Sequence, residues 1–319
     1  MSKTIKRSFD KKLTFIKLMN AHYRAVIGKR NKVEILKFEE DLETNVANLL
    51  IQLKEGKYRL GKYREFTIYE PKERLIKSLP YKDRIVHQWY IYEFIKPFII
   101  PRLIKDTYAC LDNRGTHKCV KQTQKYMRLM SKKYGTYYIL KGDITKYFYS
   151  IDKDILFNIM YKYIKDQKLL ELTKILIYDN DNKKSIPIGN YTSQYFANIY
   201  LNELDQYIKN ELKIKYYLRY MDDFCILVSS KDKAKIIYDK IRIFLNNNLK
   251  LEMNHKSRYY PSNFGINFCG YIIYEKYILL RKRCIKNLKK KSKEKNFNIN
   301  IYKGHLLYAN CFNFIKKII

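Results

Sequence analysis

Zinc-type cysteine spacings, an apolar leader, membrane-length apolar runs, internal repeats and flexible linkers are all missing from this 319-residue sequence, and acidic residues are few. The six cysteines (Cys110, Cys119, Cys225, Cys269, Cys284, Cys311) form no Cys-x-x-Cys pair. His117 between Cys110 and Cys119 does not complete a zinc pattern, so reduced thiols are the simpler account. The N-terminus is polar and basic, and no segment approaches the roughly 20 apolar residues that a membrane span needs. The expectation is a soluble cytoplasmic protein with no membrane partner. Asp and Glu number 31 against 65 Lys and Arg, a formal net charge of +34. Such an excess repels itself unless a polyanion meets it, which makes nucleic acid the leading partner. Richness in Lys, Ile, Asn and Tyr together fits an A/T-rich genome, yet the acids are too outnumbered for drift alone to explain the charge.

What is present is organised around Tyr220-Met221-Asp222-Asp223. Two β-prone runs, Tyr216–Arg219 and Phe224–Val228, flank the paired carboxylates and predict a hairpin with acids at its turn. Carboxylates beside buried strands need a cationic partner, and Mg²⁺ prefers such oxygens while keeping positions for water and phosphate. Asp-Asp alone would be an ordinary turn. A third aspartate, Asp143, closes the β-prone run Tyr137–Gly142 far upstream.

In chain order, apolar spacing predicts a helix within residues 1–32 and a longer one from about Lys32 to a stop at Gly56. Residues 66–76, broken at Pro71, read as a hairpin. Lys72 and Arg74 fall two apart on a strand face, where paired cations suit a triphosphate. Residues 81–95 form an apolar helix in which His87 reads as structural. Gly115 and Thr116 mark the turn and N-cap of the next helix. Asp152 caps a helix from Lys153, and the loop Ile186–Gln194 leads into a helix from Tyr195. Ser229-Ser230 caps an amphipathic helix; strand-like runs follow at Leu249–Met253 and Phe268–Tyr274, and a polycationic stretch at Lys286–Lys295. The whole predicts an α+β core with carboxylates converging at one edge.

On these residues the sequence resembles the reverse transcriptases. The resemblance covers about residues 60–280 and is carried by Asp143-Ile144-Thr145-Lys146-Tyr147-Phe148 and Tyr220-Met221-Asp222-Asp223. It implies a right-hand polymerase: an N-terminal helical extension (1–60), fingers (61–135), a palm with an antiparallel sheet (136–274, with finger elements inserted at about 165–190) and a short helical thumb (275–319). It implies two Mg²⁺ ions, with Mn²⁺ substituting in vitro, held by Asp143, the Ile144 carbonyl and Asp222, and supported by Asp223. Lys72 and Arg74 fall where the family grips the triphosphate. Phe148 falls where an aromatic excludes the ribose 2′-hydroxyl. Lys256 matches a residue proposed to protonate pyrophosphate, and Phe268-Cys269-Gly270-Tyr271 resembles the primer grip. The partners implied are an RNA template, a DNA primer or cDNA, and deoxynucleotides.

Ile188-Gly189-Asn190-Tyr191-Thr192-Ser193-Gln194 departs from the commoner Gln-Gly…Ser-Pro form and resembles the enzymes of diversity-generating retroelements. Lys72–Ile76, Gly115-Thr116-His117 and Phe196–Leu201 fit the same group. That implies copying of a template-repeat RNA with errors opposite adenine, a small basic accessory protein, and a bacterial, archaeal or phage source. With no RNase H, protease, integrase or HNH segment in view, the expectation is not a complete intron-encoded protein. The alternative is a retron-like, phage-defence or other stand-alone enzyme. A non-catalytic RNA-binding module would have lost an aspartate, and none is lost.

Overall fold

The computed structural model describes residues 4–69, 72–180, 182–294 and 297–316. The chain forms two compact units, each drawn from separate stretches: residues 1–103, 146–203 and 248–251 in the first, and 104–145, 204–247 and 252–319 in the second. The fold is α+β with antiparallel sheets, as expected.

The first unit is mainly helical. The expected helix from Lys32 to Gly56 is two helices, Val33–Glu39 and Leu42–Lys54. Asp41 breaks them apart by taking a non-helical backbone (φ −135°, ψ 58°). Gly56 lies just beyond the second, at φ +70°, where glycine carries no Cβ penalty. The expected hairpin is present: β1 (Arg64–Ile68) and β2 (Arg74–Ser78) pair antiparallel from Arg64↔Ser78 to Ile68↔Arg74. Glu70 and Pro71 lie outside the described residues. Lys72 precedes β2 rather than lying on it, so the shared-face argument with Arg74 does not hold. The helix Tyr81–Tyr90 continues as a π-helical turn, Ile91–Ile95. Asp152 caps the helix Lys153–Tyr163 as expected, accepting from the backbone N–H groups of Asp154 and Ile155 at 3.1 Å each.

In the second unit a four-stranded antiparallel sheet runs in the order β4-β5-β3-β6, made of β3 (Tyr138–Gly142), β4 (Tyr217–Tyr220), β5 (Asp223–Val228) and β6 (Arg258–Pro261). A second sheet follows from β7 (Ile266–Phe268), β8 (Tyr271–Ile273) and β9 (Ile278–Leu280). The run Phe268–Tyr274 is thus a hairpin, not one strand, because Cys269 (φ +51°) and Gly270 (φ +91°) turn the chain. Such a two-residue turn matches the twist of the flanking strands. The run Leu249–Met253 is not a strand either: Leu249 closes the helix Lys231–Leu249, and Met253 makes only an isolated bridge to Ile144. One core joins the faces Ile139, Leu218, Cys225 and Leu227 to the helix Thr116–Tyr134 and to Phe268 and Tyr271. Gly115, at φ +109°, is the N-cap of that helix in place of Thr116.

Candidate active site

Alternation along β3 and β5 brings the acids together. Gly142 pairs with Phe224, so Asp143, one residue on, lies level with Asp223 at the same sheet end. A side chain at Gly142 would not fit: an added Cβ would sit 2.1 Å from the Phe224 ring. Tyr220 pairs with Asp223, leaving Met221-Asp222 as a two-residue turn. Met221 takes φ +60°, a conformation that costs a non-glycine residue and must be held by its surroundings. The Arg219 guanidinium does this, donating to the Met221 carbonyl at 2.8 Å. Arg219 is in turn gripped by Asp205 through two contacts, at 2.8 and 2.6 Å, with both side chains fully buried.

Asp143 is held from another direction. Its carbonyl accepts from the Asn254 N–H at 2.8 Å, its Oδ2 from the Asn254 side-chain amide at 3.1 Å, and its N–H donates to Ser257 Oγ at 3.1 Å. Asp143 and Asp222 are half-buried. Asp223 is ion-paired with Lys141. The Lys141 ammonium is largely buried, which pushes its pKa down to about 8. It also lies 4.8 Å over the Phe268 ring.

Among the described residues no three of His, Cys, Asp and Glu form a ready-made metal cage. Asp143 and Asp222, half-buried and near one sheet end, are of the residue type a magnesium-type ion takes, and such an ion needs few protein ligands because it keeps its waters.

Lys256 is exposed on the turn that carries Asn254, its N–H donating to Asn254 Oδ1 at 3.0 Å. Phe268 and Tyr271 are buried and paired, with Cys269-Gly270 at the tip; Tyr271 Oη lies 3.1 Å from His117 Nε2 and donates to the His305 carbonyl at 2.9 Å. Asn254, Ser257, Lys141 and the Asp205–Arg219 pair were all missed in sequence. Only Lys141 left a signal, as a cation inside an otherwise uncharged strand.

The remaining expected residues belong to the first unit. Arg74 opens β2 and is exposed, as is Lys72. Phe148 is half-buried, and its carbonyl accepts from the Ile186 N–H at 2.9 Å. Ile188 accepts from the Lys77 N–H at 2.9 Å, which ties its loop to β2. Gly189 (φ +128°) passes so close that a Cβ would lie 2.5 Å from the Lys77 carbonyl. The loop is braced further by Asn190 donating to Tyr63 and Tyr63 to Asp179, both at 2.8 Å, with Asp179 paired to buried Lys153. The helix begins at Tyr191, four residues earlier than expected, so Gln194 is an exposed helical residue. A cleft of about 660 Å³ is lined by Lys62, Arg64, Phe66, Gly189 and Gln194, among others; neither Lys72 nor Arg74 borders it. His87 is buried, with Nδ1 3.4 Å from Thr192 Oγ1, but among the described residues its Nε2 has no hydrogen-bond partner, so it is not the fully satisfied structural histidine expected.

Comparison with known proteins supplies the family. A family profile described as reverse transcriptase (RNA-dependent DNA polymerase) matches residues 65–273. The Putative COX1/OXI3 intron 2 protein of Saccharomyces cerevisiae is 22% identical over 302 residues, 74% of this chain and 33% of its own length. An uncharacterized 91 kDa protein in a cob intron of Schizosaccharomyces pombe is 28% identical over 56% of this chain and 20% of its own. The uncharacterized mitochondrial protein ymf11 of Marchantia polymorpha is 25% identical over 42% of this chain and 17% of its own. The chain therefore spans a third or less of these curated relatives. Among solved structures, apo telomerase from Candida tropicalis, truncated from its C-terminal domain, superposes with a TM-score of 0.51 at 14% identity, over 72% of this chain and 58% of that one. At that identity the likeness shows the fold. The expectation of a bacterial, archaeal or phage-encoded cytoplasmic protein is overturned, since these curated relatives are eukaryotic and one is mitochondrial by name. No described helix is long and apolar enough to cross a membrane.

Proposed function

Because the chain belongs to the reverse transcriptase family, the RNA-dependent DNA polymerases, we propose that it extends a primer 3′-hydroxyl with deoxynucleotides along an RNA template. The observation that carries this is the sheet end where Asp143 lies level with Asp223 and Asp222 occupies the adjoining turn. Asp143, the Ile144 carbonyl and Asp222 would hold two Mg²⁺ ions. Bound there, the ions would supply Lewis acidity at the primer hydroxyl and at the displaced pyrophosphate. Asn254 and Ser257 orient Asp143, and Arg219 orients the turn that carries Asp222. Lys72 and Arg74 bind triphosphate oxygens, Phe148 excludes the 2′-hydroxyl, Lys256 gives a proton to pyrophosphate, and Phe268–Tyr271 supports the primer end. Residues 61–135 serve as fingers, 136–274 as palm and 275–319 as thumb.

The test is primer extension by purified Asp143→Asn and Asp222→Asn. Synthesis is expected to fall by about a thousandfold or more, because several kcal/mol of charge stabilisation leave with the metals. RNA binding is expected to persist. Normal extension by either variant would defeat the assignment.

At a finer level, the apolar Ile188 and the Ser193-Gln194 pair support a diversity-generating role with a basic accessory protein. Ile188 can pack beneath a nascent pair but cannot hydrogen-bond to it, and one neutral hydrogen bond contributes on the order of 1 kcal/mol. A second reading, an enzyme of intron type, is favoured by the names of two curated relatives. Sequencing cDNA from wild type and Ile188→Gln on one RNA separates them. Diversification requires wild-type errors concentrated opposite adenine, reduced several-fold in the variant; equal spectra would sink it.

A further inference from the structure

Tyr63, just before β1, takes no part in the chemistry assigned so far, yet its hydroxyl is the middle link of a polar chain. The chain starts at Lys153 and Asp179, whose side chains are fully buried. The Lys153 ammonium donates to Asp179 Oδ1 at 2.8 Å, to the Asn180 carbonyl at 3.3 Å and to Asn180 Oδ1 at 3.0 Å. Asp179 Oδ2 accepts from Tyr63 Oη at 2.8 Å, and Tyr63 Oη accepts from the Asn190 side-chain amide at 2.8 Å. A carboxylate only accepts, so the one phenolic proton points at Asp179 and the oxygen is left to receive Asn190. Burial and then the Asp179 carboxylate push the Tyr63 pKa up, which keeps that proton in place at neutral pH.

The chain ties the β1–β2 hairpin to the loop that follows Ile186. Lys62 and Arg64, the neighbours of Tyr63, line the cleft of about 660 Å³ together with Gly189, Asn190 and Gln194. One other bond joins the same two segments, from the Lys77 N–H to the Ile188 carbonyl at 2.9 Å. A loop held at that point alone can pivot about it. The Asn190–Tyr63 bond, two residues further on, supplies a second point and removes the pivot. We propose that Tyr63 is a positioning residue that sets the spacing between the β1–β2 hairpin and residues 188–190, and through it the affinity for the incoming deoxynucleotide. The consequence for synthesis rests on the polymerase reading, whereas the tether itself can be tested without synthesis.

Tyr63→Phe keeps the ring and removes only the hydroxyl that Asp179 and Asn190 share. In steady-state primer extension the KM for deoxynucleotide is expected to rise about fivefold, equivalent to about one neutral hydrogen bond. With kcat within about twofold and primer–template affinity unchanged, the loss is one of uniform binding. Asn190→Ala cuts the same chain one link on and should give the same rise. The double variant should be no worse than either single one, because groups acting as a unit do not add. A merely structural role would lower the melting temperature and leave KM where it was, and that result would overturn the proposal, as would effects that multiply in the double variant. Hydrogen exchange of the nucleotide-free full chain, followed by mass spectrometry, reads the tether directly. In Tyr63→Phe, peptides carrying the Lys77 N–H and residues 186–190 should exchange about fivefold faster, with the helix Thr116–Tyr134 unchanged. Equal exchange in the two proteins would also overturn the proposal. Faster exchange in the variant, with no DNA made by the wild type, would uphold the tether and fail the polymerase reading alone.

Discussion

Asn254 holds Asp143 twice, once at the carboxylate (3.1 Å) and once at the carbonyl (2.8 Å), across 111 residues of sequence. The Asp143 carboxylate is thereby held at both its side chain and its backbone, as the proposed role in metal binding requires. Asn254→Ala keeps the backbone contact and loses the other. Turnover is expected to fall by about 10- to 100-fold, with RNA affinity unchanged, as measured by single-turnover extension and filter binding. Full turnover in the variant would show that Asp143 is oriented by other means.

The buried Asp205–Arg219 pair supports the strained Met221 turn. Tyr217 also donates to Asp205, at 2.6 Å. Asp205→Ala leaves a guanidinium buried without its carboxylate, which costs about 3–5 kcal/mol. Chemical denaturation should show a loss of that order, and the hairpin should become sensitive to proteolysis at temperatures the wild type tolerates. A loss under 1 kcal/mol would rule out this support.

His87 gives the first unit an acid sensitivity of definite sign. Burial pushes its pKa down to about 3 from 6.5, so the folded state resists a proton that the unfolded state accepts. Stability from this source is complete above pH 6.5 and drains away as pH falls toward 3, at about 1.4 kcal/mol per unit. His87→Gln should therefore lose about 1.4 kcal/mol less than wild type between pH 7.5 and 5.5. Identical pH dependence in the two proteins would contradict it.

The net charge of +34 has a thermodynamic signature. Each phosphate met by Lys or Arg releases condensed counterions, so log affinity for single-stranded RNA should fall linearly with log salt, by roughly 0.7 per contact. A flat plot would mean that the charge reflects composition and not a binding surface.

The sequence by itself determined the parts whose physics is local. Two β-prone runs around Met221-Asp222 can only make a tight hairpin, Asp152 caps the helix that follows it, and Gly56 ends one. The order of β-prone and helical runs was enough to assign the α+β class, whereas the reading of Asp143 and Asp222 as one site came from the resemblance their motifs carry. Tertiary structure decided the rest, because it depends on groups far apart in sequence. Asn254 reaches Asp143, Lys141 reaches both Asp223 and Phe268, and Asp205 and Arg219 meet beneath the hairpin only once the sheet has formed. Local pattern also misplaced boundaries where backbone conformation outweighed propensity: Asp41 splits a continuous apolar stripe, and Cys269-Gly270 folds one apparent strand into two. Residue types pointed to the chemistry; long-range packing decided which distant groups hold the aspartates in place.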